Sequence, residues 1–188
     1  MIKFKTSYLL AFLFSGLLIV MFAIKNFDRT LKNDTCPNGI VSFELAKDIH
    51  ISEAIINSWD TTAKIDAGLS LGIDFLFLLL YSGFIGLAIY VLNEKLWKQK
   101  KIIYQTGRLF VVFVFTAALL DTLENIALIR LLKGHLEQIW ASIAFYAATV
   151  KFILVGTSLL YLIGNLAYFL YVRSADFLKD INKYRSGS

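Results

Sequence analysis

The sequence predicts an all-α fold, a four-helix transmembrane bundle, on three observations. Of 188 residues, 57% are hydrophobic and only 18% charged, with mean hydropathy +0.65, far from the balance of a soluble domain. Four runs, residues 8–24, 68–92, 109–131 and 143–172, are long enough to cross a hydrocarbon layer that takes roughly 20 residues per helix. The basic residues gather in short stretches beside those runs. Each run must be a helix, because an isolated strand in lipid leaves its backbone groups without partners. The whole chain, 1–188, reads as one integral membrane domain.

The first run follows Lys3 and Lys5 and has no A-x-A-like cleavage site before Lys25, so it reads as an uncleaved anchor. The segment 25–67 is too long for a turn. Pro37 and Asn38-Gly39 mark a bend, followed by apolar Ile40, Val41, Phe43, Leu45 and Ala46. Ile51, Ala54, Ile55, Ile56 and Trp59 then recur at helical spacing, with Ser52 as the N-cap. This predicts an external amphipathic helical segment between helices 1 and 2, either a lid or a plain interfacial helix. Asn33-Asp34-Thr35 matches a glycosylation acceptor, relevant only on a glycosylating secretory route. The fourth run exceeds what a bilayer needs, so it should tilt or emerge near Tyr168 and Tyr171 and continue as an amphipathic helix over 175–184. Ser186-Gly187-Ser188 reads as a cloning remnant.

Residues 93–108 carry Lys95, Lys98, Lys100, Lys101 and Arg108 against Glu94 alone, which predicts a cytoplasmic loop. Both termini are then cytoplasmic, in agreement with Lys3 and Lys5 at one end and Arg173, Lys179, Lys183 and Arg185 at the other. Trp97 falls at the inner interface, and Trp59 and Trp140 near the outer one. The net charge of +5 suits lipid headgroups rather than nucleic acid, for which no basic stripe interleaved with aromatics is present. The one cysteine, Cys36, excludes a disulfide framework and reads as an incidental loop thiol. His50 and His135 lie outside the apolar runs, which argues against a bis-histidine haem, and His50 with Glu53 reads as a solvated helix face. No cofactor is expected.

Within the oily runs stand Asp74, Asp121, Glu124, Asn125 and Lys151. At 1.5 Å per residue they fall between about 9 and 15 Å below the outer surface, all in one half of the bilayer. Asp121, Glu124 and Asn125, at i, i+3 and i+4, share a helix face, which must point into the bundle. Lys151 is the only cation at that level, opposite three acids, and Glu44 from the external segment can approach from above as a fourth. Each charge in a bilayer costs at least about 2.5–3.5 kcal/mol, so either the carboxylates hold protons or a cation joins them. A single pair could simply join helices, but two further acids exceed what such bonding repays. Gly68-x-x-x-Gly72, Gly83, Gly86 and Ala144-x-x-x-Ala148 suggest ordinary close packing. Thr157, Ser158 and Asn165 either extend a polar track inward with Gly156 or bond back to their own helix.

The stretches Ile40–Ala46 (IVSFELA), Ser58-Trp59, Asp74–Tyr81 (DFLFLLLY), Leu120–Leu128 (LDTLENIAL) and Lys151-Phe152 occur in an order and spacing that resembles a family of small, mostly uncharacterised bacterial integral membrane proteins with four helices. The resemblance implies a fold, a shared polar set and a place in the bacterial inner membrane, and no activity. The function expected is binding or transport of a cation, a proton or a small polar ligand, a polar lipid included, at Asp74, Asp121, Glu124, Asn125, Lys151 and Glu44. Transport by so few helices implies a homodimer. One alternative is a structural or partner-binding subunit held together by the cluster. The other is an outer-leaflet lipid-modifying enzyme, in which paired acids hold Mg²⁺ or Ca²⁺ or move protons. No catalytic residue is identifiable, for the sequence has neither a nucleophile elbow nor a phosphate loop.

Overall fold

The computed structural model describes the backbone of residues 2–186 and the side chains of residues 5–175. Six helices follow in order: α1 (Ile2–Leu31), α2 (Ile40–Glu44), α3 (Ile49–Ser58), α4 (Thr61–Leu96), α5 (Lys101–Leu132) and α6 (Gln138–Ser186). Among the described residues there is no strand. α1, α4, α5 and α6 are each long and apolar enough to cross a membrane. All four outrun their apolar cores, because Lys, Glu and Gln beside the runs are good helix formers and the only proline, Pro37, lies in a loop. The connection expected over 93–108 therefore shrinks to residues 97–100. Lys3, Lys179, Lys183, Arg185, the amphipathic face expected over 175–184 and the terminal residues 186–188 lie outside the described side chains.

The long helices alternate in direction, and α4 is central, packed by α1 on one side and by α5 and α6 on the other. In the most apolar stretch, 33% of α4 and of α5 is buried against 6% of α1 and α6, so the outer two helices present apolar surface to the surroundings. Small residues set the close approaches. A methyl group on Gly16 would press on Leu80 at 3.2 Å, and one on Gly86 on Phe115 at 3.3 Å. Gly68 and Gly72, expected as a packing pair, are not one: a methyl on Gly72 would meet nothing within 4 Å. The tightest crossing is Gly107 on α5, where any side chain would overlap Asn93 of α4, whose Nδ2 donates to the Tyr104 carbonyl at 2.8 Å. Nearby, Trp97 Nε1 donates to Asn165 Oδ1 of α6, and the indole stacks on Tyr168 with centroids 5.0 Å apart.

Residues 32–60 cap the other end, over the last turns of α1 and α5 and the first of α4 and α6, around a core that includes Leu31, Phe43, Ile55, Trp59, Leu71 and Leu128. The glycosylation-like Asn33 is used structurally: Oδ1 accepts the Thr35 and Cys36 amides at 3.0 and 2.9 Å, and Nδ2 donates to Ser58 Oγ at 3.0 Å. Cys36 lies in the loop after α1 and is fully buried; its Sγ donates to the Gly39 carbonyl at 3.0 Å, and burial pushes the thiol up from its ordinary pKa. Gly39 has φ +59° and sits so close to Asp28 that a methyl would overlap the carboxylate, which accepts the Ile40 amide at 2.7 Å. α3 starts earlier than Ser52 predicts, since Asp48 caps it by accepting the His50 amide at 2.8 Å. Ser52 instead lies in the first turn and donates to the Asp48 carbonyl.

Trp59 is likewise no interface residue. It is 3% exposed, meets Phe43 edge-on at 5.4 Å, and its Nε1 donates at 2.9 Å to the Leu31 carbonyl, one of the four that the end of α1 leaves open. Trp140, by contrast, is only half-buried, with the Arg130 guanidinium 5.5 Å from its ring. Trp59→Phe, which keeps a ring and strands that carbonyl, should lower stability by about 1–3 kcal/mol. Trp59→Ala should cost about 3–5 kcal/mol. Denaturant or thermal unfolding of the detergent-purified variants measures both.

Candidate functional site

Asp74 and Lys151 each stand thirteen residues into their helices, α4 and α6, which both start at the capped end. At 1.5 Å per residue that is about 20 Å, and Asp121, eleven residues before the end of α5, lies about 17 Å from the same end. The longer helices thus move these groups farther from the helix ends than the run boundaries predict and leave their common level unchanged.

α5 presents Asp121, Glu124 and Asn125 on one buried face, and that face serves two neighbours. Towards α6, Lys151 Nζ lies 3.0 Å from Asp121 Oδ1 and 2.7 Å from Glu124 Oε2, with the side chains 10%, 3% and 0% exposed respectively. Towards α4, Asn125 Nδ2 donates to Asp74 Oδ2 at 2.7 Å. The ring of Phe152 lies 4.7 Å from the ammonium, covering it on a further side. From the cap, α2 lowers Glu44 towards Lys151, Asp121 and Glu124. Glu44 is half-buried, but its Oε2 is out of contact with solvent. Burial holds the Glu44 carboxyl above the usual carboxylate range, with the Lys151 ammonium pulling the other way and Asp121 adding to the rise.

All six residues expected from sequence thus meet in one place. Tyr81 joins them unforeseen: two turns beyond Asp74 on α4, it is 5% exposed and faces Asp121, and its hydroxyl has no hydrogen-bond partner. Its i+7 spacing from Asp74 was the signal, hidden among nine tyrosines. Thr157 and Ser158 bond back to the carbonyls of Ile153 and Leu154, at 2.8 and 2.7 Å, and so do not extend the site. Asn165 does the same through Nδ2, to Tyr161, while its oxygen holds Trp97.

The cluster sets four carboxyl groups, Glu44, Asp74, Asp121 and Glu124, against one ammonium. Glu124 Oε2 meets Lys151 as an ion pair but off the hydrogen-bonding direction, and Oε1 has no partner at all; Glu44 Oε2 has none either. Ionised carboxylates only accept hydrogen bonds, so two facing acids cannot satisfy each other without a proton. Among the described residues no three His, Cys, Asp or Glu side chains converge so as to hold a metal ion. His50 is exposed on α3.

Comparison with protein-family models, curated proteins and solved structures finds no match to this chain.

Lys151→Met should destabilise the protein by about 3–5 kcal/mol, because it leaves buried acids without their cation. Adding Asp121→Asn and Glu124→Gln should restore most of that loss, and a mutant cycle read by thermal unfolding measures the coupling. For Glu44, the folded chain binds a proton more tightly than the unfolded one, so stability falls as pH rises from the ordinary glutamate value of about 4.3 towards the folded-state value. Glu44→Gln should remove that slope: the stability difference from wild type is constant below about pH 4 and moves in the variant's favour above it. Unfolding midpoints across pH check this.

Proposed function

We propose that the buried cluster is a reversible proton-binding site in a multi-pass protein of the cell membrane, through which the protein takes up protons or exchanges them for a small cation or polar ligand. The observation that carries the reading is the facing of Glu44 and Glu124, two carboxyls from different elements, each with a buried oxygen that lacks a hydrogen-bond partner. One proton turns either acid into a donor and satisfies both. It also lowers the excess charge around Lys151, which a bilayer interior penalises.

The basic residues Lys95, Lys98, Lys100 and Lys101 support an orientation with the α4–α5 connection and both termini in the cytoplasm, and the cap outside. In that orientation the cluster lies in the outer half of the membrane and exchanges with the outside. Transport across the whole bilayer by four helices calls for a second copy. The ion pairs of Lys151 and the Asn125–Asp74 bond also join helices, and a purely cohesive network is the competing reading.

Infrared spectroscopy of the purified protein separates the two. A protonated carboxyl absorption should persist at neutral pH, well above the value of about 4.3 at which an ordinary glutamate ionises, and should weaken in Glu124→Gln and in Glu44→Gln. The pH response of thermal stability should flatten in Asp121→Asn/Glu124→Gln. No neutral-pH carboxyl absorption, with the double variant merely less stable and equally pH-responsive, would leave only a cohesive network.

A further inference from the structure

α2 is five residues long and carries the one acid of the cluster that stands on no long helix. The backbone on either side of it is left-handed: Gly39 has φ +59°, and Lys47, with φ +37°, is the one non-glycine residue so placed among the described residues. A lysine rarely adopts that conformation, and here it is clamped. Gln138, at the start of α6, donates from Nε2 to the Lys47 carbonyl at 2.8 Å and accepts the Ile49 amide on Oε1 at 3.0 Å. The Lys47 ammonium lies 5.3 and 5.6 Å from the rings of Phe145 and Tyr146. Between these two pivots the segment turns Phe43 and Glu44 inward and Val41 and Leu45 outward.

The groups facing Glu44 come from every long helix: Asp28 of α1, Asp74 of α4, Asp121 and Glu124 of α5 and Lys151 of α6. A neutral Glu44 suits that seat. An ionised one adds a negative charge beside four acids, of which Asp28 is paired with Lys32 at 3.1 Å and the other three share the Lys151 ammonium, in surroundings that screen little. The other side of the cluster is closed by an apolar layer that includes Leu78, Ile85, Ile89, Val114 and Ala118, so the approach from α2 is the short one. We propose that residues 39–47 form a gate over the cluster, which swings on Gly39 and Lys47 and withdraws Glu44 when that carboxyl ionises. This inference rests on the cluster being a proton-binding site.

The protein carries its own reporter, since Cys36 is its only cysteine and its buried Sγ is bonded to the carbonyl of the Gly39 pivot. Opening exposes it to a maleimide. The rate of Cys36 labelling in wild type, divided at each pH by the rate in Glu44→Gln, cancels the thiolate fraction. That ratio should rise roughly tenfold from about pH 5 to about pH 8, the population shift expected when one buried charge unseats the segment. A flat ratio overturns the gate. Gln138→Ala, which removes the clamp, gives an independent reading should Glu44→Gln not fold: it should accelerate labelling most at low pH, where the gate is otherwise shut, and equal acceleration at every pH overturns the gate. The infrared carboxyl absorption reads the site separately, so a flat ratio with that absorption retained rejects the gate alone, and loss of the absorption rejects the site reading and the gate with it.

Discussion

One ammonium group holds the centre of this molecule together. Lys151 reaches Asp121 and Glu124 across the α5–α6 interface where little water enters, and its absence would leave both acids without a counter-charge. That requirement fixes the rotation and the register of α6 against α5, because a lysine one residue away would point about 100° elsewhere. With α5 so oriented, Asn125 is aimed at Asp74 and draws α4 to the same level. α2 then brings Glu44 down towards the same groups from the cap.

The two ends of the bundle are built differently around this centre. At the α4–α5 connection, Asn93 lies against Gly107 and Trp97 is bonded to Asn165, so three helices are tied by short contacts that leave little room to move. At the capped end the ties run through loop backbone instead: Asp28 to the Ile40 amide, Trp59 to the Leu31 carbonyl and Gln138 to residues 47 and 49. Those bonds position the segment over a buried apolar core that includes Phe43 and Trp59.

Much of this was legible in the chain. The four apolar runs mark the long helices, and the i, i+3, i+4 spacing of Asp121, Glu124 and Asn125 marks a single polar face. Glu44 was recognisable as an acid in an apolar context. Helix ends were not, because hydropathy follows the hydrocarbon and not the backbone ladder, which ran on through Lys, Glu and Gln. Trp59 illustrates a second limit: an indole at a run boundary usually marks an interface, but here a stray carbonyl at the end of α1 drew it inward. Asn33 shows a third, for a modification motif and an Asx turn are the same three letters until the partners of the amide are known. The left-handed Lys47 left no trace in the sequence, since lysine is a poor predictor of that conformation.

The order of the cluster along the chain bears on how the protein is made. Asp121 and Glu124 are synthesised before Lys151, on a helix joined to the next by only residues 133–137. Taken alone, α5 would enter lipid with two acids, each costing about 2.5–3.5 kcal/mol at mid-membrane. The smallest unit in which those charges are paired is the α5–α6 hairpin. The ion pairs that stabilise the folded cluster are thus the same ones that offset the cost of placing acids on an apolar helix.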